Sequence, residues 1–168
     1  MFPPIFIDWI TIYQDHENHE NLPIIVSGSV VRYDSGGSPI VTTDCAASIK
    51  GSFSTSLRIK CDGKRVSISG NVGRFSRKDN VYNLSWEETI NKCNRILVHL
   101  GLPPFTSSQP GVNSLANTGA RVSRLDITAN YQTGSRKNAH SALGWLAGRS
   151  VTRVKKGVSG QDSVWWSN

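Results

Sequence analysis

Cysteine is scarce in this chain of 168 residues: Cys45, Cys61 and Cys93 stand far apart, with no Cys-x-x-Cys pair and no histidine in metal-ligand register. An odd count at such spacings argues against a disulfide or zinc framework, and the thiols read as reduced, cytosolic, small buried hydrophobes. No apolar run approaches the roughly 20 residues of a membrane helix, so no membrane partner is expected. The apolar start, MFPPIFIDWITIY, lacks a basic leader and carries Asp8 inside the run, which makes it a strand and not a signal peptide. Internal repeats and low-complexity tracts are absent. Gly70-Asn71-Val72-Gly73-Arg74 can form a turn that touches phosphate through Arg74, but without a Gly-Lys-Ser/Thr ending it is no P-loop. Spacing supports no Ser-His-Asp or Cys-His arrangement.

Acidic residues are few where basic ones gather. The net charge is +7 and the isoelectric point about 9.6. From Met1 to Lys50 there are six acids and two bases, whereas from Arg121 to Lys156 there are eight bases and one acid, Asp126. That one-sided segment (Arg121, Arg124, Arg136, Lys137, Arg149, Arg153, Lys155, Lys156) suits an anionic backbone such as DNA, a solvated basic surface being the plainer alternative.

With 38% hydrophobic residues and a mean hydropathy of −0.30, the chain is expected to form one soluble domain over 1–168. Residues 4–13 and 23–34 read as strands around the acidic loop QDHENHEN, where His16 and His19 suit a solvated turn better than a metal cluster. A turn at 35–38 leads to IVTT. SFSTSLRIKC and RVSISGNV flank Asp62-Gly63, a hairpin signal. Ser85 and Glu88 form a capping box for a helix over 85–101, with Ile90, Cys93, Leu97 and Leu100 on one stripe, His99 near its C-terminal end and Gly101 closing it. The polar stretch 105–118 reads as a long loop. A second helix spans roughly 135–147, with Ser135 as N-cap and Ala139, Ala142, Leu143 and Leu146 inward, before a hairpin from SVTRVKK and QDSVWW; Trp165-Trp166 can stack on bases or enter the core. The order is that of an α+β fold, a mostly antiparallel sheet with helices packed on one face.

The strand RVSRLDITANY places Leu125, Ile127 and Ala129 on one side and Arg124, Asp126, Thr128 and Asn130 on the other. An Arg124–Asp126 ion pair is one reading of that polar row. A carboxylate site is the other: Asp8 interrupts an apolar strand, and Asp8 with Asp126 could hold Mg²⁺ or Mn²⁺ through hard oxygen ligands.

FIDWITIY, SGNVGRF and above all RVSRLDITANY followed by a helix, in this order along the chain, resemble the replication initiation proteins of filamentous phages, the gene II protein type. The resemblance implies a rolling-circle initiator with an HUH-like nuclease fold, acting on the phage origin in the host cytoplasm. A tyrosine nicks one DNA strand with a divalent metal, joins the 5′ phosphate and later reseals the ends. Carried over, Asp126 is a metal ligand, Asp8 a second, and Arg124 and Thr128 orient phosphate or carboxylate. Two departures stand out: Lys78-Asp79-Asn80 replaces a Gly-His-Asn triplet, and no tyrosine here belongs to a Tyr-x-x-Lys motif. The resemblance thus makes these residues the N-terminal part of a longer initiator, binding DNA without cutting it alone. A non-catalytic origin-binding or regulatory module is the alternative.

Overall fold

The computed structural model describes residues 5–16, 22–78, 82–107, 119–150, 155–159 and 163–167. Its elements are β1 (Ile5–Asp15), β2 (Gly28–Tyr33), β3 (Pro39–Cys45), β4 (Ala47–Lys50), β5 (Ser56–Cys61), β6 (Arg65–Gly70), α1 (Trp86–His99), β7 (Arg121–Ala129), α2 (Arg136–Ala147), β8 (Lys155–Ser159) and β9 (Ser163–Ser167). A five-stranded antiparallel sheet runs β4-β5-β6-β1-β7, and β2-β3 and β8-β9 form separate two-stranded ribbons. The class is α+β, as the element order predicts. The chain divides into two compact units, one through Asn130 and one from Tyr131 onward.

Strict alternation builds the first unit. Ile10 and Ile12 of β1, Leu57, Ile59 and Cys61 of β5, and Val66 and Ile68 of β6 point to one side and are buried. They meet Cys93 and Leu97 of α1 in one core. Each fully buried Leu or Ile contributes about 1.5–3 kcal/mol, which makes this layer the main source of stability. α1 starts at the predicted capping box: the Ser85 hydroxyl accepts from the Glu88 amide, and the Glu88 carboxylate accepts from the Ser85 amide at 2.9 Å. It ends where Gly101 takes a φ of 72° and Leu102 N–H bonds the Leu97 carbonyl, folding Leu102 back onto the core. Asp62-Gly63 turns β5 into β6 as predicted, with Gly63 at a φ of 94°.

Several expectations change. β4 is an additional strand, unreadable because only Ile49 among its four residues is strongly apolar. The strand predicted over 23–34 begins at Gly28, and Ile25 makes only an isolated bridge to Cys61. Leu125 and Ile127 stay exposed, because the buried stripe of α1 lies over the centre of the sheet and β7 is its outer strand. His16 is buried and not solvated, its amide bonded to the Lys64 carbonyl; His19 lies outside the described residues. Cys61 and Cys93 are core residues while Cys45 is half-buried, and burial pushes the Cys93 thiol up to about 12.

In the second unit α2 spans 136–147 with Ser135 as its N-cap, its hydroxyl accepting from the Asn138 amide at 3.2 Å. None of its residues is fully buried, so the predicted inward stripe is shallow: Ala139, Leu143 and Leu146 are half-buried and Ala142 is exposed. β8 and β9 pair as the predicted hairpin, with Lys156 opposite Trp166.

Candidate nucleic-acid interface and carboxylate pair

The sheet face opposite the core is polar. Cross-strand partners share a face, so the register aligns Ser48 with Arg58, Arg58 with Ser69, Lys60 with Ser67, Ser69 with Thr11, Ser67 with Tyr13 and Arg65 with Asp15. On the other side of β1, Thr11 lies opposite Arg124 and Trp9 opposite Asp126. Six cations (Lys50, Arg58, Lys60, Arg65, Arg121, Arg124) thus share a face with hydroxyls and two aromatic rings. The Arg124 guanidinium lies over Trp9 at 5.1 Å and that of Arg65 over Tyr13 at 5.0 Å. Thr11 and Ser69 are hydrogen-bonded at 2.8 Å.

Two bulges shape the β1–β7 seam. At the first, Ile7 faces Ile127 and Trp9 faces Asp126, leaving Asp8 as the extra residue between them. A bulge re-aims a side chain, and here it sets the two predicted carboxylates at neighbouring positions on adjacent strands. At the second, Ser123 is extra, and its hydroxyl bonds the Thr11 carbonyl at 3.4 Å. Strict alternation would put Arg121 with Leu125; the bulge carries it across to face Tyr13.

Asp8 is half-buried and held from the turn after β6. Asn71 Nδ2 donates to its Oδ1 at 2.8 Å; Asn71 Oδ1 in turn accepts from Asn83 Nδ2 and from the Arg74 amide, each at 2.8 Å. Asn83 Oδ1 accepts from the Leu84 amide, and the Leu84 carbonyl accepts from Ile7 N–H beside Asp8. A Cβ on Gly73 would run into Asn83 Oδ1, so only glycine admits this amide. Asp126 is half-exposed and bound by Arg124, whose Nε and Nη2 reach its two oxygens at 3.1 and 2.7 Å. That fork holds the Asp126 carboxyl below its usual range. The ion-pair reading of the polar row is therefore realised in the free protein.

Two aspartates suit a hard cation that keeps most of its water and takes further oxygens from phosphate. Among the described residues no group of three or more His, Cys, Asp or Glu gathers for a metal. Both Asp126 oxygens already carry Arg124, but the pair is exposed and so weakly held. Oxygen ligands of this kind suit Mg²⁺ or Mn²⁺, and for Asp126 to serve as one Arg124 would have to leave it.

Of the other predicted contacts, Arg74 is exposed and Thr128 lies opposite Phe6. Arg136 and Lys137 open α2, and Lys155 and Lys156 lie on β8, all in the second unit; Lys156 Nζ donates to the Ala147 carbonyl. Arg153 and the triplet position Asp79-Asn80 lie outside the described residues. Trp9, Tyr13, Arg58, Lys60, Arg65 and Asn71 went unpredicted. Period-two alternation in SLRIKC and RVSISG marks Arg58, Lys60 and Arg65 as one face; nothing local marks Asn71. No helix among the described residues is long and apolar enough to cross a membrane.

The family model for the N-terminal part of the phage replication-associated protein of the gene II type matches residues 6–168. No curated protein and no solved structure matches the chain.

Proposed function

Because the chain belongs to the family of phage replication-associated proteins of the gene II type, as their N-terminal part, we propose that the polar sheet face is its DNA surface and that Asp8 and Asp126 hold a divalent metal where one strand is nicked at the origin. The observation that carries this reading is the bulge, which puts Asp8 next to Trp9, the cross-strand partner of Asp126, at the end of a face bearing six cations. The fold assigned to the first unit under this reading is HUH-like.

The chain's own residues then divide the work. Lys50, Arg58, Lys60 and Arg65 hold phosphates, and Trp9 and Tyr13 offer flat surfaces on which bases can replace guanidinium groups. Arg124 moves from Asp126 to a strand phosphate, which keeps its charge paired and frees the carboxylate. Asn71 holds the Asp8 carboxylate in place. Asp8 and Asp126 would hold a divalent ion there, and its chemistry would be to polarise the scissile phosphate. The nucleophile in this reading is a tyrosine of a Tyr-x-x-Lys motif, to which none of Tyr13, Tyr33, Tyr82 and Tyr131 belongs; the polar face is assigned the strand and the two aspartates the metal.

The fork between Arg124 and both Asp126 oxygens favours a second reading, a DNA-holding module without metal chemistry. Titration calorimetry with Mn²⁺ in the presence of an uncleavable single-stranded oligonucleotide separates the two. The nicking reading expects binding by the wild type and at least about tenfold weaker binding by Asp126→Ala. Equal Mn²⁺ binding by both proteins, or binding by neither, leaves the DNA-holding module.

A further inference from the structure

The outer face of α1 plays no part in the proposed DNA surface, yet it carries two adjoining clefts of about 850 and 580 Å³ that share Lys92 and Arg95. The smaller has an apolar floor made by Ile49 of β4, Phe75 of the turn after β6, Ile96 of α1 and Leu100, which caps α1. Its walls are fixed. The Phe75 ring packs so closely on Gly51 that a Cβ there would come within 2.7 Å of it, and Lys92 Nζ donates to the Phe75 carbonyl at 2.6 Å. The cleft therefore exists before any partner arrives.

Its rim is cationic. Lys92 is half-buried, and burial together with the nearby Arg77 and Arg95 charges lowers its pKa. Arg95 is exposed and makes no hydrogen bond or ion pair among the described residues, and His99 stands at the cleft's far end. An anion here would relieve repulsion between like charges. An apolar side chain would fill a floor that water covers poorly.

We infer that this cleft is a docking site for an acidic peptide segment of a partner protein, with one large apolar side chain seated over Ile96 and Leu100 and carboxylates facing Arg95 and Lys92. Charge complementarity selects the acid, and the apolar floor selects a protein over a nucleic acid, whose phosphates would lie against four hydrocarbon side chains. The hydroxyls and stacking rings that suit a strand lie on the other face of the sheet. α1 buries Thr89, Cys93 and Leu97 toward the sheet's apolar face. Partner and DNA thus occupy opposite sides of the first unit and bind together. The inference does not depend on metal or on nicking.

A random peptide-display library selected on the whole chain tests it, followed by fluorescence anisotropy of the best labelled peptide. Selected peptides are expected to combine Asp or Glu with a single Leu, Ile, Phe or Trp. Binding is expected to weaken about tenfold in Arg95→Glu, further in Arg95→Glu/His99→Glu, and with added salt. Both residues are exposed, and melting curves check that the variants fold. A saturating single-stranded oligonucleotide is expected to leave peptide affinity unchanged. The docking site is overturned if the library yields no acidic binder, if the charge reversals leave affinity unchanged, or if the oligonucleotide displaces the peptide. It is equally overturned if Arg95→Glu weakens oligonucleotide binding instead, since the cleft would then be a nucleic-acid contact.

Discussion

In the proposed metal reading Asn71 is a positioning residue: its Nδ2 donates to Asp8 Oδ1 and so helps decide where that carboxylate points. Replacing it with alanine removes the donor to Asp8 and the acceptor for Asn83 and the Arg74 amide. Unsatisfied polar groups of this kind cost about 1–3 kcal/mol, and loss of such support weakens metal binding by about tenfold or more. Asn71→Ala should lower the melting temperature and weaken Mn²⁺ binding in calorimetry, whereas a purely structural Asn71 would change only the first. Arg124→Gln should act in the opposite sense on the metal. With the competing guanidinium gone from both Asp126 oxygens, Mn²⁺ binding in the absence of DNA should tighten while oligonucleotide affinity falls. Unchanged Mn²⁺ affinity in that variant would mean that Arg124 does not compete for the carboxylate.

At the scale of elements, β1 is the strand on which the site depends, since it pairs with β6 on one side and β7 on the other. The Asp15–Arg65 pair ties its end to β6, with Arg65 Nη2 reaching Asp15 Oδ2 at 3.0 Å. The Arg65 guanidinium holds the Asp15 carboxyl below its ordinary value of 3.8. A carboxyl depressed in the folded state adds stability that is complete above its unfolded value and disappears as pH falls through its lower folded value. Asp15→Asn should therefore melt below the wild type at neutral pH, with the gap closing below pH 3.8. A gap that persists there would show that the interaction is not ionic. Part of this was legible: the apolar run marked β1 as a strand, alternation exposed the polar row of β7, and the capping box and Gly101 bounded α1. What alternation could not show is where it fails. A bulge inserts a residue without any mark in the local pattern, so the transfer of Arg121 to the Tyr13 side had no local signature. Nor did the Asn71–Asp8 bond, which joins residues 63 apart in sequence.

For the whole molecule the distribution of charge would decide how DNA is held in the proposed reading. The basic excess of the sequence falls between Arg121 and Lys156, a segment that spans the boundary of the two units at Asn130–Tyr131. Folding adds a second group that the linear order disperses: Lys50, Arg58 and Lys60 come from β4 and β5 and reach the polar face through register alone. If single-stranded DNA crosses that face, each phosphate contact contributes about 0.7 to the slope of log affinity against log salt. Replacing Lys50, Arg58 and Lys60 together by glutamine should then lower the slope by about 2, while stability changes little, since Lys50 and Arg58 are exposed and exposed charges away from special features matter within about 0.5 kcal/mol, and at Lys60, which is half-buried, glutamine keeps most of the aliphatic stem. Replacing Lys155 and Lys156 in the same way measures the second unit's share. If only the pair on β8 alters the slope, the strand runs over the second unit and the sheet face is a solvated surface. If the sheet triple alone alters it, the strand crosses β4 and β5, and two of the three residues that grip it, Arg58 and Lys60, are those whose alternation in SLRIKC already sets them on one face.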